Sequence, residues 1–149
     1  MKRKYNLPFK TRLVLTLISP FRSRSKEQPT LTQLRRARKP VPRFFLTNWV
    51  LGKMPKCHSI TDRKIPVRDG EIPVRIYRPN TDTKLPLILN YHGGGWAVGN
   101  LQNNDYYCAV LAQRVGALAI SVDYRLAPES KFPTAVYDAY DASLWATLN

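Results

Sequence analysis

Four glycines crowd into seven positions of this 149-residue chain, in His92-Gly93-Gly94-Gly95-Trp96-Ala97-Val98-Gly99-Asn100. They follow the run Leu85, Leu87, Ile88, Leu89, Tyr91, nearly continuous in its apolarity, which reads as a strand buried on both faces. Three consecutive residues without a Cβ leave backbone N–H groups bare and let the chain take positive φ. Ligands of an open α/β sheet bind at the carboxyl ends of its strands. The chemistry such donors suit is the stabilisation of an oxygen that becomes negative in a transition state. A glycine-rich turn that only reverses the chain fits the same residues. A phosphate loop does not, because no Lys or Arg follows until Arg114. A dinucleotide fingerprint fits poorly: Gly93, Gly95 and Gly99 miss its spacing by one residue, and Trp96 crowds the turn.

The other groups that could react are few. None of Ser19, Ser23, Ser25, Ser59, Ser121, Ser130 and Ser143 has glycines two residues to either side, as a Gly-x-Ser-x-Gly nucleophile turn requires. The histidines are His58, ahead of the expected sheet, and His92, inside the glycine loop. Asp123, Arg125 and Glu129 invite an acid–base reading. Cys57-His58 is a lone pair without further ligands at zinc spacing, so no metal site and no cofactor are expected.

These groups need a frame, and the sequence supplies one. Ile60–Arg68 and Glu71–Arg78 read as strands flanking an Asp69-Gly70 turn. A helix is expected near Asn104–Val115, capped by Asn103 or Asn104, with Cys108, Leu111, Ala112 and Val115 as its apolar stripe and Gly116 at its stop. Ala117–Val122 reads as a second buried strand. Pro133 opens a last helix to about Leu148, with Val136, Ala139, Tyr140 and Leu144 inward. Strand, helix, strand, helix after a hairpin predicts an α/β sheet with parallel central strands.

Composition narrows the function classes. The chain is 44% apolar and 23% charged, an ordinary globular balance. Its net charge of +14 is uneven. Residues 1–64 hold 17 Lys/Arg against Glu27 and Asp62, whereas residues 65–149 are nearly neutral. A short helix is expected over Thr30–Lys39, and Phe44–Leu51 form a dense apolar cluster. The apolar stretch Leu13–Ile18 is too short for a secretion signal or a bilayer span. Two cysteines, Cys57 and Cys108, make no disulfide scaffold and fit a reducing compartment. A cytoplasmic chain is therefore expected. Contact with an anionic membrane surface through Leu13–Phe21 is the alternative. Nucleic-acid binding is disfavoured, since the aromatics are not interleaved with the charge.

The block Tyr91-His92-Gly93-Gly94-Gly95-Trp96 is followed by Ser121-Val122-Asp123-Tyr124-Arg125-Leu126-Ala127-Pro128-Glu129, then by Phe132-Pro133 and Asp138-Ala139-Tyr140. In order and spacing these resemble the hormone-sensitive-lipase-like carboxylesterases of the α/β-hydrolase fold, over about residues 60–149. The resemblance implies the N-terminal portion of that fold in residues 59–149: an opening antiparallel hairpin, then parallel strands with helices, in an incomplete sheet. Residues 1–58 would be a basic, partly helical, cap-like segment.

The same resemblance implies roles. Gly94 and Gly95 would be the oxyanion donors, with Gly93 setting the turn. His92 would support the loop and not act as the base, while Trp96 and Tyr124 would shape the substrate pocket. Asp123, Arg125 and Glu129 would form one buried structural network. The substrate would be a small-molecule carboxylic ester attacked by a serine. No Ser-His-Asp triad can be assembled in the order nucleophile, acid, base. The sequence stops at Asn149, where the last helix should lead into the nucleophile strand, so the chain alone is expected to be inactive. The strand ending at Tyr91 would then be an exposed edge inviting self-association. A non-catalytic binding protein of the same fold is a further alternative.

Overall fold

A computed structural model describes residues 8–18, 28–40, 53–81 and 84–149. Strands β1 (Ser59–Val67) and β2 (Gly70–Arg78) pair antiparallel in unbroken register from Ser59↔Arg78 to Val67↔Gly70. Branched Ile65, Ile72 and Val74 bury their side chains here, as half-buried strand positions favour. The turn comprises Arg68 and Asp69, one residue earlier than the Asp69-Gly70 turn expected from sequence. The Asp141 carboxylate explains the shift. It accepts the Arg68 backbone N–H at 2.9 Å and so takes the donor that a ladder bond to Glu71 would use.

Next come α1 and α2 from the chain's front, Phe9–Ile18 and Leu31–Ala37, and then β3, Leu87–Tyr91. Helix α3 is Asp105–Val110, β4 is Leu118–Val122 and α4 is Thr134–Leu148. The sheet order is β1-β2-β4-β3, with β4 antiparallel to β2 and parallel to β3. The central strand β4 is buried from Ala119 to Val122. The five-residue β3 lies at the edge and is only partly covered, with Leu87 36% exposed. The expected burial on both faces is not realised, because among the described residues only β4 flanks it.

The pleat sends alternate residues to two cores. Ile65, Ile72, Val74, Ile120, Val122 and Tyr124 pack with Ala142 of α4. On the opposite face Tyr77 and Ala119 pack with Cys108, Ala109 and Ala112. The α3 region departs from expectation in two ways. Asn104 holds the N-cap position of α3 but makes no side-chain cap bond; the capping box lies one turn earlier, where Asn100 and Asn103 exchange side-chain and backbone bonds around a 3₁₀ turn, Leu101–Asn104. The last five residues, Leu111–Val115, wind as a π-helix before left-handed Gly116. That winding breaks the 3.6-residue stripe and leaves Val115 59% exposed.

Helix α4 also turns a different face inward. Asp138 and Ala142 are buried, whereas Val136, Tyr140 and Leu144 of the expected set are exposed. Two arginine forks decide this. Asp138 accepts from Arg125 Nε and Nη2 and from its backbone N–H. Asp141 is gripped by Arg68 in the same manner, and Arg68 lies over the Tyr137 ring. A charge can be buried where it is paired, and hydrophobic periodicity is blind to such pairing.

The chain divides into two compact units, residues 1–29 with 43–53 and residues 30–42 with 54–149. In the first, α1 is the described element. In the second, Thr30 caps α2 through a reciprocal capping box with Gln33. The expected apolar cluster Phe44–Leu51 lies outside the described residues. Asp138→Ala, which strands Arg125, should lower unfolding stability by about 3 kcal/mol. Asp62→Ala, removing the 59%-exposed partner of Arg75, should cost under about 1 kcal/mol. Urea denaturation checks both, and a neutral Asp138→Ala would contradict the anchoring role.

Candidate active site

β3 delivers the chain to the glycine loop at the carboxyl end of the parallel pair. Gly94 stands at φ +129° and Gly95 at +60°, and Trp96 follows in the left-handed region at +58°. Gly94 is required: a Cβ there would lie 2.0 Å from the Val98 carbonyl oxygen. That carbonyl is close because the Ala97 and Val98 N–H groups both donate to Gly94 O, closing a tight turn. Gly99 is required for a second reason, since its Cβ would lie 2.1 Å from His92 Nδ1. The N–H groups of Gly93, Gly94 and Gly95 donate to no protein acceptor among the described residues.

The loop's entry is fixed by buried polar groups. His92 stacks on the Tyr124 ring, 4.4 Å between centroids. Tyr124 donates its hydroxyl to His92 O at 2.6 Å, and His92 Nδ1 meets Gly93 O at 2.9 Å. Facing a carbonyl, Nδ1 must carry the proton. Nε2 is left buried without a hydrogen bond. Its charged neighbour among the described residues is Asp123, whose Oδ1 at 3.7 Å is beyond hydrogen-bond reach but within ion-pair range. Burial pulls the His92 pKa down, but Asp123 and the Gly93 carbonyl together outweigh it, and the net shift is upward. Burial and the Asp123 charge push the Tyr124 phenol up as well.

A cavity of about 380 Å³ opens above the loop. It gathers the six residues singled out from sequence: His92, Gly93, Gly94, Gly95, Trp96 and Tyr124. Tyr91 and the first turns of α4 (Ala135, Val136, Ala139) complete the wall. Trp96 is 65% exposed and Tyr124 is buried. Among the described residues no Ser, Cys, Asp, Glu, Lys or Arg lines the cavity. Among the described residues no serine hydroxyl bonds a histidine, and Ser143 is engaged by Tyr91 and Ala139 O. No three His, Cys, Asp or Glu residues converge as a metal site among the described residues.

The expected single network of Asp123, Arg125 and Glu129 is instead three separate sets of contacts, two of them pairs. Asp123 faces His92, Arg125 grips Asp138, and Glu129 binds Arg35 and Arg38 of the α2 segment at 3.0 Å each. Glu129 is exposed, and its own backbone N–H, then Arg35 and Arg38, hold its carboxyl down to about 2. Motif spacing placed these three residues on one loop but could not assign partners. Asp138, Arg38 and the steric role of Gly99 escaped the sequence reading for that reason.

Residues 88–149 match the model of a family described as alpha/beta hydrolase fold. An arylesterase of Saccharolobus solfataricus is 47% identical over 88 residues, which are 59% of this chain and 29% of the relative. The carboxylic ester hydrolase LipN of Mycobacterium tuberculosis is 46% identical over 93 residues, 62% of this chain and 25% of that protein. A solved arylesterase structure superposes with a TM-score of 0.71 at 31% identity, covering 95% of this chain and 45% of the other. A hyperthermophilic esterase of Pyrobaculum calidifontis gives 0.62 at 48% identity, over 64% of this chain and 31% of that one. The chain thus spans between a quarter and a half of the lengths of these proteins.

Gly94→Ala should unseat the loop, with the Ala97, Val98 and Ala127 amide resonances displaced. Gly95→Ala, with open space around its Cβ, should cost only about 1–2 kcal/mol of left-handed strain. Equal effects in thermal melts and amide spectra would contradict the geometry. His92 should titrate above its ordinary 6.5. Because the folded value is raised, its contribution to stability is present below pH 6.5 and lost as pH rises through the folded pKa. An imidazole NMR midpoint at or below 6.5 would refute this, and Asp123→Asn should lower it.

Proposed function

We propose that this chain, which over residues 88–149 belongs to the α/β-hydrolase fold and is kin to the hormone-sensitive-lipase-like carboxylesterases, supplies the oxyanion loop of a carboxylic-ester hydrolase. The observation that carries this reading is that Gly94 and Gly95 line the cavity and that their N–H groups donate to no acceptor among the described residues. When a serine oxygen adds to an ester carbonyl, the carbonyl oxygen becomes an alkoxide. Two preorganised donors stabilise that charge without reorganisation at the moment of reaction. One such donor is worth about 10²–10³ in rate. Gly93 carries the turn from β3, His92 and Tyr124 hold the entry, and Trp96 and Tyr124 bound the acyl or alcohol side. Described walls without a formal charge favour an uncharged, small-molecule ester.

In this reading the nucleophile, acid and base are not supplied by this chain: neither His58 nor His92 serves as a base, and no serine lines the cavity among the described residues. The exposed β3 edge offers a surface for pairing with another strand. No described helix is long and apolar enough to cross a membrane.

Purified 149-residue chain should show no saturable hydrolysis of a short-chain p-nitrophenyl ester; turnover abolished by Gly94→Pro would refute the missing nucleophile. A chimera carrying residues 60–149 in place of the matching segment of the Saccharolobus solfataricus arylesterase should hydrolyse that ester. A folded but inert chimera would sink the oxyanion assignment.

A further inference from the structure

A run of glycines has no side chains with which to fix its own peptide planes. The loop's shape must be imposed from outside. Its entry is held by His92 and Tyr124, and its middle by the Ala127 N–H, which donates to Trp96 O at 2.8 Å. The next carbonyl, Ala97 O, is taken by a residue 59 positions away in sequence: Arg38 Nε donates to it at 2.9 Å.

Arg38 spends its whole guanidinium at this junction. Nη2 donates to Ala127 O at 2.5 Å and Nη1 pairs with Glu129 at 3.0 Å. One planar group therefore bridges the glycine loop to the turn that follows β4. Its backbone takes part as well, since Asn100 Nδ2 donates to Arg38 O at 2.7 Å from the loop's exit. Arg38 is the C-cap of α2, a helix that buries none of its residues. Apolar packing contributes little to docking α2, so these polar contacts carry it. An arginine fork suits the task because its donors are fixed in one plane, which a lysine ammonium cannot reproduce.

We propose that Arg38 is a positioning residue of the glycine loop, with α2 docked as a strap that fixes the Ala97 peptide and through it the Gly94-Gly95 donors. The two captured carbonyls are those of the left-handed Trp96 itself and of the residue after it, so both contacts act against relaxation of its strained backbone. The catalytic consequence rests on the oxyanion reading, but the tests below do not use activity. Failure of either is thus distinguishable.

The experiment is amide hydrogen exchange and ¹H–¹⁵N spectroscopy on the full chain and three variants. In Arg38→Ala, exchange at Ala97, Val98 and Ala127 should quicken by about tenfold or more, with the Gly94 and Gly95 resonances shifted. Ile120 and Val122 in β4 should stay within about twofold of the parent, as expected of a local opening. Arg38→Lys should fail to rescue, because it keeps the charge and loses the fork. Glu129→Gln should change loop exchange by less than about twofold, leaving both carbonyl contacts intact. Unchanged loop exchange in Arg38→Ala, acceleration spread equally through β4, rescue by lysine, or a Glu129→Gln effect equal to that of Arg38→Ala would each overturn the proposal.

Discussion

A chain segment that is to present bare amides to a ligand gives up the side chains that would normally hold its shape, and glycine loses more conformational freedom on ordering than any other residue. The structure answers that constraint by capturing carbonyls. His92 O is taken by Tyr124, Gly93 O by His92, Gly94 O by the turn it closes, Trp96 O by Ala127 and Ala97 O by Arg38. Each accepted bond fixes one peptide plane, while the N–H groups of Gly93, Gly94 and Gly95 donate to no acceptor among the described residues. Ordering the loop is thus a task for buried polar groups, and apolar packing takes little part in it.

The sheet places those groups. β4 is the central strand, and its continuation carries Asp123, Tyr124 and Arg125 past the carboxyl end of β3. From there one residue faces His92, the next stacks on it, and the third reaches back to α4. Three adjacent residues so serve three different partners. The forks Arg125–Asp138 and Arg68–Asp141 fix the rotation of α4, and this rotation sets which of its early residues wall the cavity.

Much of this frame was legible in the sequence, and the reasons for success and failure are physical. The hairpin, β3, β4 and α4 follow from apolar runs and turn residues, which act locally. The glycine loop is visible because its composition has few other uses. The face of α4 was misread because Asp138 is a charge buried by pairing, which hydrophobic spacing scores as solvent-facing. The hairpin turn shifted because Asp141, seventy-odd residues away, competes for the Arg68 amide. The end of α3 failed because a π-helical stretch breaks the period on which the stripe was counted. The Arg38 contacts carry no local signature at all: a basic residue in a basic segment looks like solvated charge until its partners are seen.

Gly99 illustrates how such long-range dependence is hidden in a plain-looking position. A methyl group at this site would strike the imidazole ring of the residue seven places upstream, which already touches Gly93 O. Substituting alanine there would therefore act as an indirect histidine variant, tilting the ring off Tyr124 although no atom of His92 was edited. In a mutational scan, loss at this codon would join the backbone strain of a side chain at φ +120° to crowding against an aromatic stack beneath.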